Sequence, residues 1–342
     1  MNKISFLKDL LSIYSPSGLE KEISEYLNKN LNLLGFNTRC DEVGNVIATI
    51  GNGEPNIVFL GHIDTVKGFI EVREENGKIY GRGAVDAKGP LSAFICAVYE
   101  IKENINKTIT IIGAVEEEGD SKGARYIIDK YSPEYAIIGE PSDWNGITLG
   151  YKGSLELEYN LKKDKIHFSG VDITAVESGV DFWNRIESYC INFSKDRKIF
   201  DGLIPTLISI NSIDDDFYQN VNLKINIRTP LDFDIEKFVE WLGKQNGDGE
   251  IIINSFEPAV KFDKNNKLVR AFVKSIRNQG CSPTFKLKTG TSDMNIVAQK
   301  WTCPIVAYGP GNSSLDHTPN EYLSIDEYLK SIEVLKSVII YL

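Results

Sequence analysis

The residues of this sequence that could do chemistry are a few histidines and carboxylates, each placed just after an apolar run. His62 ends the run NIVFLGH, and three successive glutamates at 116–118 follow the β-branched run TITIIGAV. Glu140 follows YAIIG in the same way. Such runs predict buried strands, and an open α/β sheet places its site beyond the carboxyl ends of its strands. We therefore expect these side chains to meet at one edge of a sheet.

Two further candidates lie near glycine-rich turns. Asp86 lies in GRGAVDAKG at the head of a predicted helix, where an aspartate commonly caps the helix. A phosphate-binding loop does not fit this segment, because no GK[ST] follows. His317 comes after the loop GPGNSS. Taken singly, each of these residues has an ordinary structural explanation.

Asp64 follows His62 by two residues, and residues i and i+2 of an extended chain lie on the same face. We expect Asp64 to accept a proton from one ring nitrogen of His62 while the other nitrogen binds a metal. A histidine that is simply hydrogen-bonded at the end of a strand is the alternative explanation of this pair.

As a group, the histidines and carboxylates form a donor set for divalent metal ions. Imidazole and carboxylate groups suit Zn²⁺ or a similar ion. Five ligands, with one carboxylate shared, suffice for two metal ions roughly 3.5–4 Å apart. The ligand set is His62, Asp86, Glu118, Glu140 and His317. The sequence thus predicts a two-metal centre.

Composition sets limits on the class of protein. The 342 residues are 42% hydrophobic and 25% charged, which is typical of a soluble protein with about two domains. A net charge of −10 argues against binding to nucleic acid or to an anionic membrane. The sequence has neither a signal-peptide pattern nor an apolar stretch that would span a bilayer. Five scattered cysteines indicate a reducing compartment, and we expect a cytoplasmic protein.

The pattern of predicted elements indicates an α/β protein with an insertion. Strands and helices alternate over residues 1–153 and again over 258–342, which predicts one discontinuous catalytic domain. Residues 154–257 read β-α-β-β-α-β, the order of a ferredoxin-like α+β domain. Near the N-terminus, SPSG interrupts a helical pattern, and Ser17 is expected to cap the second helix.

The motifs GHIDTV, GRGAVDAKG, EEEGDSKGA, IGEPS and DHTPNEY occur in this order over nearly the whole chain. In these motifs the sequence resembles the ArgE/DapE–carboxypeptidase–aminoacylase family of dinuclear zinc hydrolases. Within that family it is most similar to LysK-type hydrolases, which release lysine or ornithine from the amino-group carrier protein LysW. The segments GAVDAKGPLSAF, AVEEEGDSKGAR and GEPSDWNGITLGYKG carry this narrower resemblance.

The resemblance implies a role for each member of the predicted centre. Two Zn²⁺ ions would be bound, and Co²⁺ could replace them. Asp86 matches the bridging carboxylate, which a cis peptide bond follows in relatives. His62 and Glu140 match the ligands of one ion, and Glu118 and His317 match those of the other.

The resemblance also divides the work among the three glutamates. Aligning Ser121-Lys-Gly-Ala with the family's S-x-G-[AS] makes Glu117 the general base and Glu118 the ligand, and it leaves Glu116 facing solvent. The register one residue back, with Glu116 as base and Glu117 as ligand, stays open. Asp64 matches the partner of the histidine ligand.

Substrate contacts are implied on the same basis. His167 in the insertion matches a histidine that donates to the oxyanion, although the usual following proline is missing. A surface histidine is the alternative. Arg228 in INIRTP matches a strand arginine that grips a substrate carboxylate. Gly290, Thr291 and Ser292 offer donors for that group, but a turn and a helix N-cap explain them almost as well.

The resemblance implies hydrolysis of the amide between lysine or ornithine and the γ-glutamyl group of a LysW-like carrier, in lysine or arginine biosynthesis. It also implies a homodimer in which the insertion forms a lid and the dimer interface. Other readings are a deacylase of N-acetyl-ornithine, N-acetyl-lysine or succinyl-diaminopimelate, a metallo-exopeptidase, or an amino-acid-binding scaffold without catalysis. The acids that could meet a cationic substrate side chain are Asp120, Asp293, Asp316 and Glu321.

Overall fold

A computed structural model describes residues 1–167 and 172–342 of the chain. Its helices are α1 Lys3–Ser12, α2 Lys21–Leu33, α3 Lys88–Ile101, α4 Lys122–Ile127, α5 Ala175–Ser194, α6 Ile235–Leu242, α7 Lys267–Asn278, α8 Asp293–Val297 and α9 Ile325–Tyr341. Single 3₁₀ turns cover Lys102–Asn104, Ile199–Asp201 and Ser313–Leu315.

The strands are short in the first part of the chain and long in the middle. They are β1 Asn37–Cys40, β2 Val46–Ile50, β3 Asn56–His62, β4 Arg73–Glu75, β5 Lys78–Tyr80, β6 Thr108–Ala114, β7 Tyr135–Ile138, β8 Gly146–Tyr151, β9 Gly153–Asp164, β10 Ile204–Asp214, β11 Tyr218–Thr229, β12 Glu250–Glu257, β13 Val260–Lys261, β14 Thr284–Lys288, β15 Ile305–Ala307 and β16 Tyr322–Ser324.

The chain divides into two compact units. The first comprises Met1–Gly150, Phe262–Lys286 and Ser292–Leu342, and the second comprises Tyr151–Lys261 and Leu287–Thr291. The second unit extends beyond the expected insertion, residues 154–257, at both ends. It also includes a short return segment that sequence patterns did not predict.

The large sheet of the first unit explains why distant residues meet. Its strand order is β1-β2-β6-β3-β7-β15-β8, and β14 pairs with β8. Four neighbouring strands, β6, β3, β7 and β15, are parallel. Parallel strands end at the same edge, so the segments that follow β3, β6, β7 and β15 all leave the sheet on one side. These are the segments that carry the predicted ligands and the loop leading to His317.

Close packing beneath this edge holds the sheet against α3. Phe59 of β3 and Phe94 of α3 are fully buried, and their ring centroids lie 4.9 Å apart. A Cβ on Gly139 would lie 2.9 Å from the Phe94 ring and 3.2 Å from the Gly61 Cα. Glycine is therefore required at position 139, directly before Glu140.

A small three-stranded sheet, missed by the sequence patterns, positions the loop that carries Asp86. Strand β5 pairs with β4 and with β16, although β16 lies more than 200 residues further along the chain. The strands have only three residues each, too few for a periodic signal. This pairing brings Glu321, just before β16, next to the turn after β5.

The second unit has the predicted β-α-β-β-α-β order, formed by β9, α5, β10, β11, α6 and β12. Its sheet is antiparallel with the strand order β10-β11-β9-β12. The apolar side of the sheet packs on the two helices, as in the stacked rings of Tyr159 and Phe182, whose centroids are 4.1 Å apart. This is the ferredoxin-like arrangement.

The helices and the cysteines carry two further findings. Among the described residues, every helix is too short or too polar to cross a bilayer. All five cysteines are free thiols.

Phe94→Ala should lower the free energy of unfolding by about 3–5 kcal/mol, because it empties the space between α3 and the sheet. Urea unfolding followed by circular dichroism measures this loss. Phe69→Ala is the matched control, since Phe69 is 62% exposed and its truncation should cost little. A loss below about 1 kcal/mol for Phe94→Ala would contradict the account of this packing.

Candidate metal centre

The segments that leave the sheet edge bring five predicted ligands into two overlapping groups. One group comprises His62, Asp86 and Glu140, and the other comprises Asp86, Glu118 and His317. Within each group, one ligand atom from every residue lies within 4.8 Å of the others. Asp86 belongs to both groups, which is the arrangement that a bridging carboxylate requires.

His62 is oriented by the backbone of its own strand end. Its Nδ1 lies 3.0 Å from the Asp64 carbonyl oxygen, which can only accept, so Nδ1–H is the donor. Nε2 therefore faces the centre, 3.1 Å from Asp86 Oδ1. The Asp64 carboxylate lies slightly further from Nδ1, at 3.4 Å. The shortest contact thus comes from the Asp64 backbone, and the side chain that the sequence pattern suggested lies next to the same nitrogen.

The Asp64 carboxylate fixes the acidic turn. It accepts the backbone N–H groups of Glu117 and Glu118, each at 3.0 Å, and the Ser17 hydroxyl at 2.7 Å. Asp64 is completely buried. The expectation that Ser17 caps α2 is wrong, because α2 begins at Lys21 with Glu20 at the N-cap position. Ser17 instead donates its hydroxyl hydrogen to the Asp64 carboxylate.

The three successive glutamates point in different directions. Glu116 has a positive φ of 58° and pairs at the surface with Lys122, at 2.9 Å. Glu118 Oε1 lies 3.0 Å from His317 Nε2, inside one of the two donor groups. Glu117 lies outside both groups, with Oε2 4.0 Å from His62 Nε2. The turn therefore places one carboxylate in a surface ion pair, one among the donors and one beside them.

Glu321 holds the loop that carries Asp86. Its carboxylate accepts the backbone N–H groups of Val85 and Asp86, at 2.8 and 3.1 Å, and pairs with Arg82 at 2.9 Å. Glu321 is therefore already used and is removed from the acids that could meet a substrate cation. Asp86 does not cap α3, since Ala87 occupies the N-cap position without a side-chain bond. The Asp86–Ala87 peptide bond is cis.

The centre concentrates negative charge away from water. Asp64, Glu140 and Asp293 are 0%, 7% and 2% exposed, and the side chains of Glu117 and Glu118 are 13% and 9% exposed. Only two imidazoles lie among these carboxylates.

The pKa values of these carboxyls reflect the cost of burying their negative charges together. Burial raises the pKa of Glu117 well above its ordinary value; His62 opposes the rise, and Glu140 and Asp293 add to it. Burial also raises the pKa of Asp293 to about 7. Burial acts to raise the pKa of Asp86 as well, but hydrogen bonds with His317 and His62 outweigh it, and the pKa falls.

This donor set fits divalent cations. Several carboxylates buried together are costly unless positive charge compensates them. The nitrogen and oxygen donors are those that Zn²⁺ accepts, and the thiol ligands of a structural zinc site are absent from both donor groups. Each histidine presents Nε2 to Asp86 at 3.1 Å.

The substrate-binding residues predicted in the second unit form one contact of their own. Arg228 Nη1 lies 3.1 Å from Thr291 Oγ1, which joins two residues expected to grip a carboxylate. His167 is exposed and directly precedes residues 168–171, which lie outside the described part of the chain. Ser292, in the first unit, caps α8, with Oγ accepting the Met294 N–H.

Comparison with known proteins identifies the family. The sequence model of peptidase family M20/M25/M40 matches residues 58–341, and the chain belongs to this family. A Pyrococcus furiosus protein, provisionally named a [LysW]-lysine/[LysW]-ornithine hydrolase, is 42% identical over 340 residues, which cover 99% of this chain and 97% of that protein. A Deinococcus radiodurans protein named [LysW]-lysine hydrolase is 40% identical over 344 residues, covering 97% of this chain and 95% of its own.

A solved structure shows the same fold. Aminopeptidase PepT from Bacillus cereus matches with a TM-score of 0.81 at 20% identity, over 99% of this chain and 97% of that one. The family resemblance predicted from the five motifs is thus confirmed, together with the α/β fold.

Asp64→Asn should weaken zinc binding by about 10- to 100-fold, because it removes the carboxylate charge that fixes the acidic turn and lies 3.4 Å from His62 Nδ1. Competition with a chromogenic chelator measures the affinity. Asp215→Asn is the control, since Asp215 also accepts two backbone N–H groups, at 2.8 and 2.7 Å, but in an exposed turn of the second unit. Unchanged zinc affinity in a folded Asp64→Asn protein would show that Asp64 does not position the ligands.

Proposed function

We propose that this protein is a two-metal amide hydrolase that releases lysine or ornithine from the γ-glutamyl group of an amino-group carrier protein of the LysW type. One observation carries the hydrolytic part of the proposal: a buried carboxylate, Glu117, stands beside two donor groups that share Asp86. The names of the relatives at 40–42% identity support the substrate.

The residues proposed to hold the metal ions are those of the two donor groups. His62 and Glu140 would bind one ion and Glu118 and His317 the other, with Asp86 bridging. Zn²⁺ is the proposed metal, and Co²⁺ is its expected substitute. When bound, such ions lower the pKa of water and polarise the amide carbonyl.

Glu117 is the proposed general base. A base must reach the water proton without itself being a ligand, and Glu117 lies next to His62 but outside both donor groups. It would take a proton from the attacking water and return that proton to the leaving α-amino group. Burial favours proton uptake by Glu117, as a base that must hold and then return a proton requires.

Of the acids that remain as candidates after Glu321, we propose Asp293 as the partner of a cationic substrate group. It is 2% exposed, and its carboxylate interacts with Ser121 and Arg125, but its Oδ1 lacks a hydrogen-bond partner within the described residues. Asp293 also acts electrostatically on Glu117, which indicates that it lies near the base.

The remaining roles in our proposal follow the family resemblance. His167 would donate to the oxyanion, and Arg228, Gly290, Thr291 and Ser292 would bind the substrate carboxylate. The second unit would serve as lid and dimerisation domain of a homodimer in the cytoplasm. A deacylase of acetylated or succinylated amino acids and an exopeptidase use the same metal chemistry and differ only in the side-chain pocket.

Glu117→Ala should lower kcat by about 10²-fold or more while two zinc ions stay bound, because it removes the base and leaves the ligands. Glu118→Ala should lose zinc. Glu116→Ala should match the wild type, since Glu116 pairs with Lys122 at the surface. An amide-hydrolysis assay measures kcat, and metal analysis by mass spectrometry measures the number of bound zinc ions. Zinc loss in Glu117→Ala with zinc retained in Glu118→Ala would show that the roles are reversed.

The substrate is tested by release of free amino acid from four compounds. These are the carrier-linked lysine or ornithine, the isolated γ-glutamyl-lysine unit, N-acetyl-ornithine and a plain dipeptide. We expect the carrier-linked form to be hydrolysed with the highest kcat/KM. Equal or faster hydrolysis of N-acetyl-ornithine would replace the carrier with a small-molecule substrate, and preference for the dipeptide would indicate an exopeptidase.

A further inference from the structure

One segment of the first unit, residues 262–286, has a charge opposite in sign to the net charge of the whole protein. Residues 262–286 contain six basic residues and a single acidic residue, in a chain with a net charge of −10. Most of this stretch forms α7 and the start of β14. Such a local excess of positive charge favours contact with an anionic partner.

The basic residues of α7 lie on its outer face. Arg270, Lys274 and Arg277 recur at spacings of four and three residues, which places them side by side along the helix. All three are exposed. The opposite face is apolar and buried against the domain core: Leu268, Val269, Ala271, Phe272 and Ile276.

In the described part of the chain, these three charges lack carboxylate partners. Neighbouring like charges on a helix repel each other. Within residues 1–167 and 172–342, none of Arg270, Lys274 and Arg277 forms an ion pair with a carboxylate. Lys274 instead places its Nζ 3.8 Å above the ring of Tyr341. An anionic partner would relieve this repulsion.

The same helix borders a groove with a volume of about 600 Å³. Basic side chains line it along α7, and Lys264 extends the line before the helix. Val273, Pro283 and Phe285 add apolar surface, and Phe285 is 46% exposed. The combination suits an acidic peptide segment that also carries an apolar or aromatic side chain.

The groove lies next to the loop that follows a proposed metal ligand. Thr284 donates its N–H to the Asn145 carbonyl oxygen at 2.9 Å, and Lys286 pairs with Asp143. Asp143 and Asn145 follow Glu140 in the chain by three and five residues. A partner seated in the groove would therefore lie close to the loop of the metal centre.

We propose that this groove, which we call the α7 groove, is the docking surface for an acidic segment of the carrier protein that presents the substrate. The docking partner rests on the proposed function, whereas the preference for an acidic segment rests on the groove alone. Nucleic acid is the other polyanion that such charges attract, but the net charge of −10 opposes its approach.

The first experiment measures binding directly. Fluorescence anisotropy follows a labelled glutamate-rich peptide with one tryptophan, and a matched peptide with glutamine in place of glutamate serves as reference. Wild-type protein should bind the acidic peptide, and Arg270→Glu/Lys274→Glu should bind it at least about tenfold more weakly. Lys21→Glu/Lys29→Glu is the matched control, because it changes the net charge equally on the exposed face of α2.

Either of two results would overturn the acidic-segment assignment. One is equal binding of the acidic peptide by all three proteins. The other is tighter binding of a single-stranded oligonucleotide of equal charge, which would make the groove a nucleic-acid surface.

The second experiment separates docking from catalysis. In Arg270→Glu/Lys274→Glu, KM for the carrier-linked substrate should rise about tenfold while kcat/KM for isolated γ-glutamyl-lysine stays within about twofold of wild type. Unchanged KM for the carrier would remove the groove from carrier docking and leave the proposed function intact. Failure of wild-type protein to hydrolyse the carrier-linked substrate would remove the proposed function, and the anisotropy result would still decide the groove's preference.

Discussion

The rest of the structure depends on one electrostatic constraint, the burial of several carboxylates at a single point. Asp64, Asp86, Glu117, Glu118, Glu140 and Asp293 are buried or nearly so around two imidazoles. Such a cluster is costly to fold unless protons, hydrogen bonds or cations compensate it. Burial raises the pKa of Glu117 and of Asp293, so protonation of these two carboxyls relieves part of the repulsion when no metal ion is bound.

Two buried acids provide the hydrogen-bond part of the compensation, and both act on the backbone. Asp64 binds the N–H groups of Glu117 and Glu118, and Glu321 binds those of Val85 and Asp86. Each fixes a turn whose side chains face the centre. The positions of the proposed base and ligands are thereby set by residues that need not touch either metal or substrate. This division is common in metal centres, where outer residues orient the ligands.

The parallel strands made the centre predictable, and short or irregular segments limited the prediction. His62, Glu118 and Glu140 could be anticipated because β3, β6 and β7 are buried apolar runs that end at or a few residues before them. The two donor groups contain the five residues expected as ligands, whereas the binding of metal itself stays a prediction.

The contacts that sequence reasoning missed depend on long-range packing. The Glu321 contact with the Asp86 loop follows from the pairing of β16 with β5. Strands of three residues are too short to be recognised from a sequence pattern. Ser17 looked like a helix cap, yet tertiary packing turns its hydroxyl to Asp64, 47 residues along the chain. Local patterns cannot reveal such a partner. A serine near a helix start can bond either to the helix or to a distant side chain, and the sequence around it is the same in both cases.

The central claim is that this chain binds two metal ions through a shared Asp86. Anomalous diffraction at the zinc edge from crystals of the zinc-loaded protein tests this most directly. The account predicts two peaks about 3.5–4 Å apart, one beside His62 and Glu140, the other beside Glu118 and His317, with Asp86 between them. A single peak, or a second ion bound by Glu117 in place of Glu118, would contradict it.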